Sequence, residues 1–284
     1  MKRTHETMKS MKRLFFLDLD GTVIAEDQQV PASAQTAIRK IVKDGHEVFM
    51  CTGRSLPEVY PWLWEIGFSG IVGGNGAYGQ LGDRVLFDEA IDAESVRIAE
   101  EYFAAHEGRW IWQNPDGMYT TTNYLEYFRG GIPAGNGIIG DWADYVELVE
   151  PITYDRAPSR ATKAMVTFPP NSPLTYEEVV AALGDRLDII PAAVQVKEGL
   201  ILELGKPGVT KGAGLAHVAS ALGLDISSTV AVGDGSNDIA MLETAGLGIA
   251  MGNGCAEAKA VADWIAPSID QDGLAVAIEY ALTR

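Results

Sequence analysis

Asp18 and Asp20 stand two residues apart behind the apolar run Leu14-Phe15-Phe16-Leu17, and Gly21 and Thr22 follow directly. In an extended strand residues i and i+2 point to the same side, so both carboxylates face one spot. Like charges placed there repel unless a cation or a shared proton compensates. Gly21 lets the backbone turn sharply and approach a ligand closely. A solvated strand end also accounts for an isolated Asp-x-Asp, so the weight falls on what accompanies the pair.

Three further clusters follow apolar runs. Thr52-Gly53-Arg54 comes directly after Glu47-Val48-Phe49-Met50-Cys51. A hydroxyl with exposed backbone N–H groups at a strand-to-helix turn suits phosphate oxygens. Lys211, in Gly208-Val209-Thr210-Lys211-Gly212, opens a helix carrying Leu215, Val218, Ala219 and Leu222 at i, i+3, i+4 and i+7. The helix dipole disfavours a cation at that end unless an anion lies beside it. Gly233-Asp234-Gly235-Ser236-Asn237-Asp238 follows the strand-like Thr229-Val230-Ala231-Val232 and brings two more carboxylates near one cation. Oxygen-only ligands with few residues suit Mg²⁺, which keeps several waters and often binds phosphate directly. Asp238 also suits the first turn of a helix, where an acid complements the dipole.

The elements that position these clusters alternate strand and helix on both sides of a different middle. Strand, helix, strand, helix, strand is the order up to Gly70-Ile71-Val72-Gly73, and the alternation resumes after about residue 193. That order predicts an α/β fold, parallel strands with helices on both faces. Between about Asp88 and Ala192 aromatic residues are dense (Trp110, Trp112, Tyr119, Tyr124, Tyr127, Phe128, Trp142), and Gly130-Gly131 to Gly140 and Pro169-Pro170 interrupt them. Helices are expected at Ala93 to Ala105 and Tyr176 to Leu183, with a strand at Lys163 to Phe168. The simplest organisation is an α+β module, residues 88–192, inserted into a discontinuous core of residues 1–87 and 193–284. Gly74, Gly76 and Gly79 match the dinucleotide fingerprint G-x-G-x-x-G, which should open a helix. Ala77 to Phe87 reads instead as two short strands around Leu81-Gly82-Asp83, so no dinucleotide site is expected.

The 284 residues suffice for one large domain or two ordinary ones, and 47% hydrophobic with 21% charged residues suits a soluble globular chain. No apolar stretch approaches the roughly 20 residues that span a bilayer. Met1 to Arg13 is basic and lacks the apolar segment of a secretory signal; a frayed tail, or a start at Met8 or Met11, is expected. A formal net charge of −17 opposes nucleic-acid binding but leaves room for a small anion held by local cations. Cys51 and Cys255 read as reduced thiols of a cytoplasmic protein. His5, His46, His106 and His217 form no ligand spacing.

Taken in order, the four clusters resemble the haloacid dehalogenase (HAD) superfamily of phosphohydrolases, in its Cof-type branch. Gly74-Asn75-Gly76-Ala77, Ala250-Met251-Gly252-Asn253 with Lys259 and Ala262, and Asp272-Gly273 add to the likeness. Ser268-Ile269-Asp270 departs from it, standing where many relatives carry an asparagine. The resemblance implies a Rossmann-like core with an inserted cap that governs substrate choice. It implies that Asp18 is the nucleophile and that Asp20 protonates the leaving oxygen. Thr52, Gly53, Lys211 and Asn237 would hold the phosphoryl group. Mg²⁺ would sit on Asp18, the backbone carbonyl of Asp20 and Asp234, with Asp238 in support. The implied activity is a phosphatase acting on a small phosphorylated metabolite, a sugar phosphate first of all, in a monomer or weak homodimer. Two alternatives stand beside it: a phosphomutase or phosphotransferase passing the phosphoryl group to a sugar hydroxyl, and a catalytically silent binding module on the same fold.

Overall fold

The computed structural model describes residues 12–129, 132–134, 137–139, 143–169, 172–192 and 199–284. Gly130, Gly131, Gly140, Trp142, Pro170 and the tail from Met1 lie outside the described residues, as do the side chains of Tyr127 and Phe128.

Along the chain the first elements are β1 (Leu14–Leu17), α1 (Ala32–Lys43), β2 (Glu47–Cys51), α2 (Pro61–Trp64), β3 (Gly70–Gly73), β4 (Tyr78–Leu81) and β5 (Arg84–Asp88). The middle holds α3 (Ala93–Ala105), β6 (Arg109–Asn114), β7 (Gly117–Thr120), α4 (Tyr124–Arg129), β8 (Ile132–Ala134), β9 (Gly137–Ile139), α5 (Ala143–Val149), β10 (Thr153–Asp155), β11 (Lys163–Phe168), α6 (Tyr176–Leu183), β12 (Asp188–Pro191) and β13 (Leu200–Gly205). The chain closes with α7 (Lys211–Ala221), β14 (Thr229–Gly233), α8 (Ile239–Thr244), β15 (Leu247–Ala250), α9 (Ala256–Val261), β16 (Trp264–Ile265) and α10 (Gly273–Leu282).

The first sheet runs β16-β15-β14-β1-β2-β3-β4-β5; its first six strands are parallel, and β4 and β5 add an antiparallel edge. Strand β1 is apolar at every position because it is covered on both faces. Phe15 and Leu17 join Ile38 and Ile41 of α1 and Ile278 of α10; Leu14 and Phe16 join Leu215 and Val218 of α7 and Met241 of α8. Chain order reverses between β1 and β14, and open parallel sheets collect ligands beyond the strand ends at such a reversal. Asp18 and Asp234 leave the sheet at that point.

The second sheet runs β10-β7-β6-β11-β13-β12. Trp110, Trp112, Phe103 and Phe168 pack on one face with α3 and α6, while Ile111, Met118 and Tyr124 lie on the other. Of the aromatics named above, Trp110, Trp112, Tyr119 and Tyr124 are core. Both indoles, Trp110 and Trp112, donate to Glu100 Oε1, at 2.9 and 3.0 Å. The core boundary expected at residue 193 is corrected by β13. Leu200–Gly205 pairs with β11 and β12, so the inserted sheet draws on the chain as far as Gly205. A short strand rich in Leu and Ile fits either sheet, and its sequence does not name its partner. The Gly74-Asn75-Gly76 segment forms a single tight turn followed by two strands, not a helix.

Trp112 is wholly buried against Phe103. Trp112→Ala should cost about 3–5 kcal/mol in urea denaturation, since such a truncation removes contacts and leaves a cavity; a loss under 1 kcal/mol would contradict this packing.

Candidate active site

Leu17 lies opposite Val232, and the Asp18 N–H donates to the Val232 carbonyl at 2.9 Å, so the loops after β1 and β14 leave side by side. Gly21 has φ +91°, and a Cβ there would lie 2.4 Å from Asp234 Oδ2. Only glycine permits that approach. Thr22 Oγ1 donates to Asp234 Oδ1 at 2.8 Å.

Lys211 is the first residue of α7, behind Thr210, whose hydroxyl accepts from the Ala213 N–H at 3.1 Å. Its ammonium lies 2.6 Å from Asp18 Oδ1 and 2.6 Å from Asp238 Oδ1, with the lysine and Asp238 side chains wholly buried. A Cβ on Gly212 would meet the Ala240 carbonyl at 2.3 Å, so glycine lets α7 seat against α8 and drive the lysine inward. Asp238 serves both readings of its position. Its Oδ2 accepts from the N–H groups of Asp234 and Gly235, at 2.9 and 2.8 Å, and its Oδ1 accepts from Lys211.

Asp18, Asp234 and Asp238 each offer one carboxylate oxygen, all within 4.8 Å of one another. Burial, then the charge of Asp238, raises the Asp18 pKa well above the ordinary carboxylate range despite the opposing lysine. Burial likewise raises that of Asp234. For Lys211 burial works against the charged form, but Asp18 and Asp238 outweigh it and hold the pKa above that of a free lysine. Burial pushes the Cys51 thiol up, which leaves it a packing residue. The Asp18 and Asp234 carboxylates, hard oxygen donors beside the close approach at Gly21 and backed by Asp238, fit a small divalent cation such as Mg²⁺.

The side chain of Asp20 stands apart from this group. It is 54% exposed, and Arg54 grips it with Nη2 at 2.6 Å from Oδ1 and Nε at 3.0 Å from Oδ2. The guanidinium stacks over Tyr60 at 5.1 Å. Thr52 is buried, and its Oγ1 accepts from the Arg54 N–H at 3.1 Å. Gly53 lies beside Asn237, as a Cβ on it would sit 3.7 Å from Asn237 Nδ2. The Asn237 amide donates to Asn75 Oδ1 at 3.2 Å. Asn253 donates to the Gly21 carbonyl at 2.8 Å and accepts from the Ile269 N–H at 2.9 Å, which ties the Ser268-Ile269-Asp270 segment to the first loop. A 450 Å³ cavity reaches Lys211 and Asn237 from between β13 and α8.

Sequence reasoning gave no role to Thr22, to the grip of Arg54 on Asp20, or to Asn75. The one signal for Asn75 was an asparagine between two glycines. Glu58 was also missed: its buried carboxylate accepts from the Ser55 N–H and hydroxyl, from Gln113 Nε2 at 3.1 Å and from the Tyr145 hydroxyl at 2.9 Å. It joins the loop after β2 to the inserted module.

The model of the haloacid dehalogenase-like hydrolases matches residues 15–278. The chain belongs to that family. It is 27% identical over 273 residues to YkrA of Bacillus subtilis, covering 94% of this chain and 96% of the relative. It is 26% identical over 274 residues to the phosphoglycolate phosphatase of Methanoculleus marisnigri, covering 95% and 96%. The solved sugar phosphatase BT4131 superposes with a TM-score of 0.73 at 23% identity, covering 95% and 98%. The family and its relatives make this chain a phosphatase-type enzyme on an α/β, Rossmann-like core with a cap. Among the described residues no helix is long and apolar enough to cross a membrane.

Because the native state holds protons on Asp18 and Asp234 more tightly than the unfolded chain, these two groups make stability fall as pH rises from the ordinary value of 3.8 through their raised native values. Lys211, whose native pKa is also raised, acts with the same sign in a higher window: its contribution is complete below 10.5 and fades as pH rises above that. Urea denaturation with a chelator present should therefore show wild type losing stability relative to Asp18→Asn as pH rises from about 4 to about 8. A difference between the two proteins that does not change with pH would contradict the burial of this carboxylate.

Proposed function

We propose that the chain is a Mg²⁺-dependent phosphatase that hydrolyses a small phosphorylated metabolite, a sugar phosphate, through an aspartyl-phosphate on Asp18. The observation that carries this reading is the buried Lys211 ammonium held between Asp18 and Asp238 at the reversal point of the sheet. A carboxylate attacking a phosphate dianion meets strong repulsion, and a fixed cation beside the nucleophile offsets it.

Asp18 attacks phosphorus through the oxygen not held by Lys211. The ester P–O bond breaks, and the leaving oxygen takes its proton from Asp20. Water then gives a proton to Asp20 and attacks phosphorus, which frees the Asp18 carboxylate and inorganic phosphate. Splitting the displacement in two replaces one hard step by two easier ones. Thr52 Oγ1, the Gly53 N–H, Lys211 Nζ and the Asn237 amide hold the phosphoryl oxygens. Arg54 keeps the Asp20 carboxylate in one orientation. Asp18, Asp234 and the backbone carbonyl of Asp20, with Asp238 behind them, would hold Mg²⁺, whose contribution when bound is to offset phosphate charge. The fully engaged oxygens of Asp238 favour support over direct ligation.

The relative named for phosphoglycolate and the solved sugar phosphatase support a small phosphate ester as substrate. A monomer or weak homodimer in the cytoplasm, without nucleic-acid or membrane partners, completes the reading.

The test is a panel of sugar phosphates, nucleotides and cofactor phosphates with MgCl₂, scored for released phosphate. Sugar phosphates should turn over, Asp18→Asn should fall to background with its fold kept, and Asp20→Asn should lose about 10²–10⁴-fold in kcat. Removing Mg²⁺ should abolish turnover. A fully active Asp18→Asn would refute the mechanism; phosphoryl transfer to an added sugar would reassign it to a phosphotransferase; a flat panel would favour a silent binding module.

A further inference from the structure

Lys163 and Glu203 are the one cation–anion pair that the inserted sheet turns onto the phosphate loops among the described residues, and the chemistry above uses neither. Lys163 pairs across the sheet with Gly205, so Glu203, two residues earlier on β13, is its diagonal neighbour on the same face. Their charged atoms are 2.8 Å apart, and the side chains are 9% and 17% exposed. Lys163 Nζ also donates to the Gly53 carbonyl at 3.2 Å. Glu203 Oε2 accepts from Asn75 Nδ2 at 3.4 Å, and Asn75 Oδ1 accepts from Asn237 Nδ2 at 3.2 Å.

We infer that Lys163, Glu203 and Asn75 are positioning residues that set the orientation of the Asn237 amide and, through the Gly53–Arg54 peptide, of the Thr52 hydroxyl. The inference rests on the phosphoryl-holding roles proposed for those two residues. Hydrogen-bond polarity carries the argument. A carboxylate accepts and an amide nitrogen donates, so Glu203 fixes which end of Asn75 faces it. The Asn75 oxygen then faces Asn237 and requires a nitrogen there. One N–H of the Asn237 amide is spent on Asn75, and the other is left for a phosphate oxygen. The Gly53 carbonyl, drawn to Lys163, fixes the Gly53–Arg54 peptide, whose N–H donates to Thr52 Oγ1 and so holds that hydroxyl in place for phosphate.

The turn bearing Asn75 is built to hold it. Gly74, Asn75 and Gly76 have φ of 60°, 57° and 104°, a left-handed run that asparagine tolerates better than other side chains. The Asn75 N–H donates to the Thr52 carbonyl at 3.1 Å, and the Gly74 N–H to the Arg54 carbonyl at 2.9 Å. A Cβ on Gly76 would lie 2.0 Å from the Thr210 carbonyl, so the turn is locked against the residue that caps the Lys211 helix. The Lys163–Glu203 pair is neutral as a unit, which makes its action one of geometry and not of added charge. The 450 Å³ cavity runs along this same wall.

The experiment uses the full chain with MgCl₂ and inorganic phosphate as competitive inhibitor of turnover, alongside thermal melting. Asn75→Asp can still accept from Asn237 but cannot donate to Glu203. It should weaken phosphate inhibition by about tenfold or more, the size of one hydrogen bond to a charged group. Glu203→Gln alone should weaken it as well, since an amide no longer dictates which end of Asn75 it meets. Combining the two changes restores a donor at 203 facing an acceptor at 75, and the double variant should recover most of the lost affinity. A merely structural role would leave the two losses additive. The inference is overturned if either foldable single variant keeps wild-type phosphate inhibition, or if the double variant is no better than Asn75→Asp. Absence of phosphate inhibition in wild type would instead count against the proposed function.

Discussion

A buried ammonium bridging two buried carboxylates at 2.6 Å sets the terms for the rest of this molecule. Each such charge costs several kcal/mol to take out of water, and only close pairing with further hydrogen bonds recovers it. The fold meets that demand from several directions. Adjacent parallel strands bring the loops of Asp18 and Asp234 together. A glycine-lined helix start drives Lys211 inward, and two backbone N–H groups complete Asp238. The compensation is partial, as the raised pKa values of Asp18 and Asp234 show. One lysine faces three carboxylates, an imbalance that a proton or a divalent cation at the site would relieve.

Asp18 and Asp20, equivalent by type and spacing, end in opposite environments. Asp18 is buried with the lysine, and Asp20 is half exposed in the grip of Arg54. The division suits a nucleophile that must be held fixed and a proton carrier that must reach both a leaving group and water. Two groups of polar contacts run from the inserted module to the loops after β2 and β3. Glu58 gathers Gln113 and Tyr145, while Lys163 and Glu203 reach the loops of Gly53 and Asn75. Both groups end on or beside the loops that carry the residues proposed to hold phosphate.

Much of the core was legible because its signals are local. Four apolar residues in a row before an Asp-x-Asp meant a strand buried on both faces, and a lysine at a helix start meant an anion nearby; β1 and Lys211 have those settings. The helices expected at Ala93 to Ala105 and Tyr176 to Leu183 are present with those bounds. What failed was long-range pairing. Leu200–Gly205 carries nothing to say that it joins the inserted sheet, and Arg54 nothing to say that it meets Asp20. Asn75 was hidden by its glycines, which imitate a nucleotide fingerprint while serving a left-handed turn. Lys163 read as an ordinary strand residue and Glu203 was placed on no element, so the face they share was not legible.

The central claim, that Asp18 forms a covalent acyl phosphate, is tested most directly by trapping. The protein is mixed with a turned-over sugar phosphate and Mg²⁺, quenched in acid within one turnover, and reduced with borohydride, which converts an aspartyl-phosphate to homoserine. Peptide mass spectrometry should find homoserine at position 18 and aspartate at positions 20, 234 and 238. Aspartate retained at position 18 during active turnover, or homoserine at another position, would contradict the account.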